Sequence, residues 1–120
     1  EGAAAERAAR LRKDEELDAL RIYVDDIVRS AETNDIELFL EANYHFHMHV
    51  AEMSRLAFLG SLLEPLWMHI GPSVRKSVPN DALFQSAARH HREVYDAIAA
   101  QDPPKAVAAI QRDILDGYSF

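Results

Sequence analysis

The 120-residue chain has no cysteine. That excludes disulfide scaffolds, thiolate metal centres and cysteine nucleophiles together. Glycine (4) and proline (5) are sparse, so long irregular segments have little to build from, and the abundance of alanine and leucine favours helix. Positive charge is in deficit, with 13 Lys and Arg against 20 Asp and Glu and a net charge of −7. Such a surface is ill suited to gripping a phosphate backbone, where affinity comes mainly from neutralising cations. No apolar run approaches the roughly 20 residues that span a bilayer, and residues 1–13 lack the apolar core of a signal peptide. What is present, 48% hydrophobic and 28% charged residues, is the make-up of one folded domain of the all-α class, expected to be cytoplasmic.

Six segments carry helical periodicity and none reads as a strand. Residues 1–12 are alanine-rich and open without an N-cap, as the tail of a helix begun upstream does, so the chain is expected to be a fragment of a longer one. Asp14 is the expected N-cap of a second helix whose apolar positions Leu17, Leu20, Val24, Ile27, Val28 and Ala31 lie on one stripe. Thr33-Asn34-Asp35 supplies a turn and the next cap. In the third helix, about 36–54, Ile36, Phe39, Leu40, Asn43, Phe46, His47, Val50 and Met53 face one way, and Glu37, Glu41, His45 and Glu52 face the other. Pro65 and Gly71-Pro72 should kink or interrupt a fourth segment, 56–76. The fifth, about 82–100, aligns Phe84, Ala87, His91, Val94 and Ile98. The sixth begins at Pro103-Pro104 and aligns Ala106, Ala109, Ile110, Asp113 and Gly117. Short connections imply antiparallel neighbours, hence a bundle of about six helices around a central ligand cavity.

Four polar residues fall on the inward faces: Asn43, His47, His91 and Asp113. Unpaired burial would cost roughly 2–7 kcal/mol each, so they are expected to meet one another. Two imidazoles, an amide oxygen and a carboxylate suit a divalent metal; a metal-free Asp–His network is the other arrangement they allow. His45 and His49, flanked by Glu41 and Glu52, are expected on a solvated surface, and His90, between Arg89 and Arg92, is expected exposed. Phe39, Phe46, Phe58, Trp67, Phe84 and Tyr95 are expected in the core. His69 is expected to line the cavity, and Arg75 to attract an anionic ligand. Common enzyme motifs are missing: no Glu-x-x-His pair, no His-Glu-x-x-His, no Gly-x-Ser-x-Gly and no glycine-rich phosphate loop. The chain is not expected to be an enzyme; a small metal-dependent enzyme and a purely structural dimerisation bundle are the alternatives.

Asn43-Tyr44-His45-Phe46-His47 resembles the Asp/Asn-x-x-Phe-His signature of the FadR C-terminal (FCD) domain, the effector-sensing half of many GntR-type bacterial transcription regulators. His91, Ala97, Asp102 and Ala106 match a second signature, His-x5-Ala-x4-Asp-x3-Ala, and a final ligand position 22 residues after His91 falls on Asp113. The resemblance covers nearly the whole chain. It implies an antiparallel helical bundle that forms homodimers and binds small carboxylates. In metal-binding members of the family, one Asp and three His hold a divalent ion, of zinc, nickel or manganese type. Here Asn43 replaces the usual Asp and Asp113 the last His, so the single carboxylate moves from the third helix to the sixth and the formal charge of the set is kept. The resemblance also implies an N-terminal winged helix-turn-helix DNA reader, expected to precede these 120 residues in a longer chain; contact with DNA would be made only through it.

Overall fold

The computed structural model describes the backbone over residues 1–77 and 81–117, and side chains over 1–68, 82 and 84–115. Six helices follow in order: α1 (Gly2–Leu11), α2 (Asp14–Thr33), α3 (Ile36–Met53), α4 (Leu59–Ser77), α5 (Asp81–Ala99) and α6 (Pro103–Gly117). Among the described residues there is no strand, and no helix is long and apolar enough to cross a membrane. The all-α class and six-helix organisation expected from periodicity are what the chain adopts.

The packing explains the composition. Helix α1 lies against α3, α5 and α6, while α2 packs on α3 and α5, α5 on α6, and α3 on α4. A helix meeting three neighbours needs small side chains on much of its circumference. Ala4, Ala5, Ala8 and Ala9 supply them, and all four are fully buried. Two arginines, Arg7 in α1 and Arg12 just after it, anchor the helix to the ends of its neighbours. Arg7 Nε donates to the Ser54 carbonyl (2.7 Å), and Arg12 Nε to the Ala99 carbonyl (3.0 Å), carbonyls at helix C-termini that lack intrahelical partners. Leu20, Ile27, Phe46, Val50, Met53, Phe84, Val94, Ile98 and Ile110 complete the core.

Local chemistry sets the boundaries. The Asn34 backbone is left-handed (φ 54°) and Asp35 accepts from the Leu38 N–H at 3.0 Å, so this pair ends α2 and starts α3 as the turn signal implied. The start of α2 differs by one residue from expectation. Lys13 is the N-cap, its N–H bonded to the Glu16 carboxylate at 3.0 Å, and Asp14 instead pairs with Arg12 at 2.9 Å. Helix α4 is not interrupted at Pro65 or at Gly71-Pro72. Pro65 is exposed, so the carbonyl that its missing N–H leaves unpaired is open to water. Phe58 corrects a second expectation. It is 80% exposed, because it precedes the first turn of α4 on the helix's outer side. Phe39, Phe46, Trp67 and Phe84 are buried, and Tyr95 packs on the core edge.

Phe46 lies edge-on to His91 (ring centroids 4.6 Å apart) with no exposure. Phe46→Ala should lower the unfolding free energy by about 3–5 kcal/mol in chemical denaturation. The exposed Phe58→Ala should change it by no more than ~0.5 kcal/mol in the monomer.

Candidate functional site

Helices α3, α5 and α6 bring the four inward polar residues together. Exposure is 8% for Asn43, 0% for His47, 1% for His91 and 8% for Asp113. The Asp113 carboxylate is shared. One oxygen lies 3.1 Å from His47 Nε2 and the other 3.3 Å from His91 Nδ1. His91 Nδ1 also reaches the Ala87 carbonyl at 2.6 Å, and its Nε2 lies 2.7 Å from Asn43 Oδ1. The two imidazoles meet edge to face, 5.3 Å between centroids.

A fifth polar group completes the cluster. Glu1, just ahead of α1, extends a buried carboxylate to His47 Nδ1 at 2.7 Å. The arrangement leaves Nε2 of His47 facing Asp113 and fixes the ring plane, as an outer carboxylate does for a ligating histidine. The helical repeat puts Glu1 on the face of Ala4, Ala5 and Ala8, but in an alanine-rich segment that face has little polar–apolar contrast to mark it. Its role follows only from the docking of α1 against α3.

The electrostatics divide the two histidines. Burial alone would push His47 down, but the Glu1 charge, the Asp113 hydrogen bond and the Glu1 hydrogen bond outweigh it and hold the imidazole up at about 9. His91 goes the other way: burial lowers it, and the nearby His47 adds to that against the pull of Asp113. Asp113 stays below the ordinary carboxylate range, since the histidines overcome the desolvation that opposes its charge. The metal-free cluster therefore sets an ionised Asp113 between an imidazolium at His47 and a neutral imidazole at His91. A neutral imidazole has a single N–H, so His91 can donate to only one of the oxygens at its two nitrogens.

Acceptors outnumber positive charge in this interior, which is the condition that a buried cation relieves. His47, His91 and Asp113 could hold a metal ion: one donor atom from each lies within 4.8 Å of the others. Asn43 adds an oxygen beside His91. The residues present therefore fit a divalent ion through nitrogen and oxygen donors.

The remaining histidines are distributed differently from expectation. His45 is exposed and stacks on Tyr23 at 5.5 Å. His49 is half-buried instead of solvated, and its Nε2 donates to the Glu16 carbonyl at 2.9 Å, so the i, i+4 pair makes no shared site. His90, expected at the surface, is 3% exposed with Nδ1 3.8 Å from Glu93. Helix α5 packs on α1, α2 and α6 at once, and its buried arc is wider than one stripe. The side chains of His69 and Arg75 lie outside the described residues.

The FCD domain family model matches residues 1–116. The chain belongs to the FCD family. Its fold is similar to that of Streptococcus agalactiae GntR (TM-score 0.83, 25% identity, 97% of this chain and 51% of that one). It is also similar to Escherichia coli McbR/YncC (TM-score 0.80, 20% identity, 96% and 60%). The chain thus spans about half to three-fifths of the length of these GntR-family regulators. No curated protein matches it. This FCD domain is a regulatory effector-binding module and not an enzyme.

A histidine raised in the folded state stabilises that state fully below its unfolded value near 6.5, and the stabilisation is lost as pH rises through the folded value. Metal-free protein should therefore lose stability between about pH 6.5 and 9, by on the order of 3 kcal/mol from His47. Urea unfolding from pH 6 to 9.5 measures the slope, which Glu1→Gln should flatten. An unchanged stability across that range would show His47 to be neutral.

Proposed function

We propose that this domain senses a small anionic metabolite, most simply a carboxylate, for a GntR-type transcription regulator. Its site is the group formed by Asn43, His47, His91 and Asp113, with a divalent ion of zinc, nickel or manganese type among them. The observation that supports the reading most directly is the Asp113 carboxylate shared by two imidazoles in the bundle interior. When bound, the metal supplies a Lewis-acidic positive charge on which a carboxylate can settle. Glu1 holds His47 by its far nitrogen, the Ala87 carbonyl holds His91, and burial keeps the surroundings of low dielectric, which strengthens attraction for an anion.

Sensing requires two arrangements of the helices with different affinities for the effector. The donors come from three different helices, so occupancy bears on how α3, α5 and α6 sit together. In the whole regulator that difference would pass through a homodimer to two DNA readers, each in the N-terminal domain that the FCD family accompanies. An apolar outer strip of α4, with Phe58, Leu62 and Leu66 all exposed, is the kind of surface a second copy can cover. The metal-free network is the second reading, and one feature favours it: both nitrogens of His47 already have hydrogen-bonding partners.

Elemental analysis and native mass spectrometry of the purified domain should report about one divalent ion per chain, lost in His91→Ala. A carboxylate at ~100 times its dissociation constant should add ~2.7 kcal/mol of stability. No metal, with a melting temperature indifferent to EDTA yet raised by carboxylates, would establish the metal-free sensor. Indifference to metals and carboxylates alike would reduce the domain to a structural bundle.

The domain should sediment as a dimer at micromolar concentration, and Leu62→Glu should shift it toward monomer while leaving helicity unchanged. Sedimentation velocity of both proteins checks this. A monomeric wild-type domain would remove the homodimer from the scheme.

A further inference from the structure

Trp67 lies on the inner side of α4, opposite the exposed Phe58 and Leu62. It is only 9% exposed, and its ring stacks on that of His47 with centroids 4.1 Å apart and planes 24° from parallel. Among the described residues, the buried indole Nε1 has no hydrogen-bond partner. An unsatisfied buried donor is costly, and such groups are rare in folded proteins. Nearby acceptors are already engaged: Glu1 and Asp113 with His47, and Asn43 with His91. The cluster has given its oxygens to imidazoles and left a fixed N–H beside the same ring.

We propose that Trp67 is a ligand-binding residue, whose indole N–H donates to an oxygen of the anion bound at the His47–His91–Asp113 group. The inference rests on the sensor reading above and extends it to recognition. An indole N–H donates and never accepts, so it admits a carboxylate oxygen and leaves an ammonium or amide N–H unmatched. Stacking on His47 sets the plane in which that donor points. Among the described residues α4 packs mainly on α3, so a bond from Trp67 to the effector would tie α4 to the site and couple effector binding to the helix bearing the exposed apolar strip.

Trp67 is the single tryptophan, so the ¹⁵N-labelled domain has one indole cross-peak. The domain, with and without equimolar Zn²⁺, is titrated with acetate and with citrate while melting temperature is followed in parallel. The expected result is a saturable downfield movement of the indole proton with the same midpoint as the thermal shift. Trp67→Phe is expected to keep its zinc stoichiometry and weaken anion binding about tenfold or more. A thermal shift with a stationary indole peak, or undiminished binding by the folded Phe variant, overturns the role of Trp67 and leaves the sensor intact. No thermal shift with either anion, with or without zinc, removes the sensor reading and this inference with it. The wild-type cross-peak decides the question even if Trp67→Phe does not fold.

Discussion

Everything in the interior of this bundle is arranged around one carboxylate that two imidazoles share. Asp113 could not stay ionised at 8% exposure without them, and the imidazoles, at 0% and 1%, could not keep their nitrogens paired without Asp113 and its neighbours. Removing one partner from such a group leaves buried charge uncompensated, which costs more than the bond itself contributed. The three helices are therefore held in one register by chemistry that aliphatic packing alone would not specify. Apolar contacts between α3, α5 and α6 tolerate sliding by fractions of an ångström; a 3.1 Å contact between Asp113 and His47 does not.

The short α1 helix is the second condition. Its alanine face lets three helices approach it closely, and the same docking delivers Glu1 to His47. A bulky residue at Ala5 or Ala8 would separate α1 from its neighbours and withdraw the carboxylate that keeps His47 charged. Small side chains in α1 thus serve both the packing and the electrostatics of a site to which that helix contributes no residue.

How much of this was legible in the sequence follows from which physical signals are periodic. Asn43 and His47 are four apart on a stripe otherwise made of Phe39, Phe46, Val50 and Met53, so their inward direction was forced by the 3.6-residue repeat. His91 and Asp113 stood out the same way against Ala87, Val94, Ala109 and Ile110. Glu1 did not, because the repeat it shares with Ala4, Ala5 and Ala8 runs through a segment where alanine lies on the exposed side as well. His90 is buried although it lies beside the apolar stripe, because α5 meets three helices and buries more than one face. Phe58 is exposed because hydrophobicity alone does not bury a residue, and ahead of α4 no helical repeat constrains its direction. The stack of Trp67 on His47 joins helices that no local pattern relates.

Placement of the donors also determines what the site can do beyond holding an ion. A metal or anion bound by residues of one helix would stabilise that helix and little else. Here the donors are divided between α3, α5 and α6, with a carboxylate arriving ahead of α1. Neutralising Asp113 or displacing the proton on His47 changes the forces between helices, and close-packed helices answer by shifting as bodies, not by deforming smoothly. On the sensor reading proposed above, two occupancies of the site would correspond to two relative positions of these helices. An effector that binds one arrangement tenfold more tightly shifts their balance by about 1.4 kcal/mol, enough to change the dominant state only if the two lie that close in the empty domain.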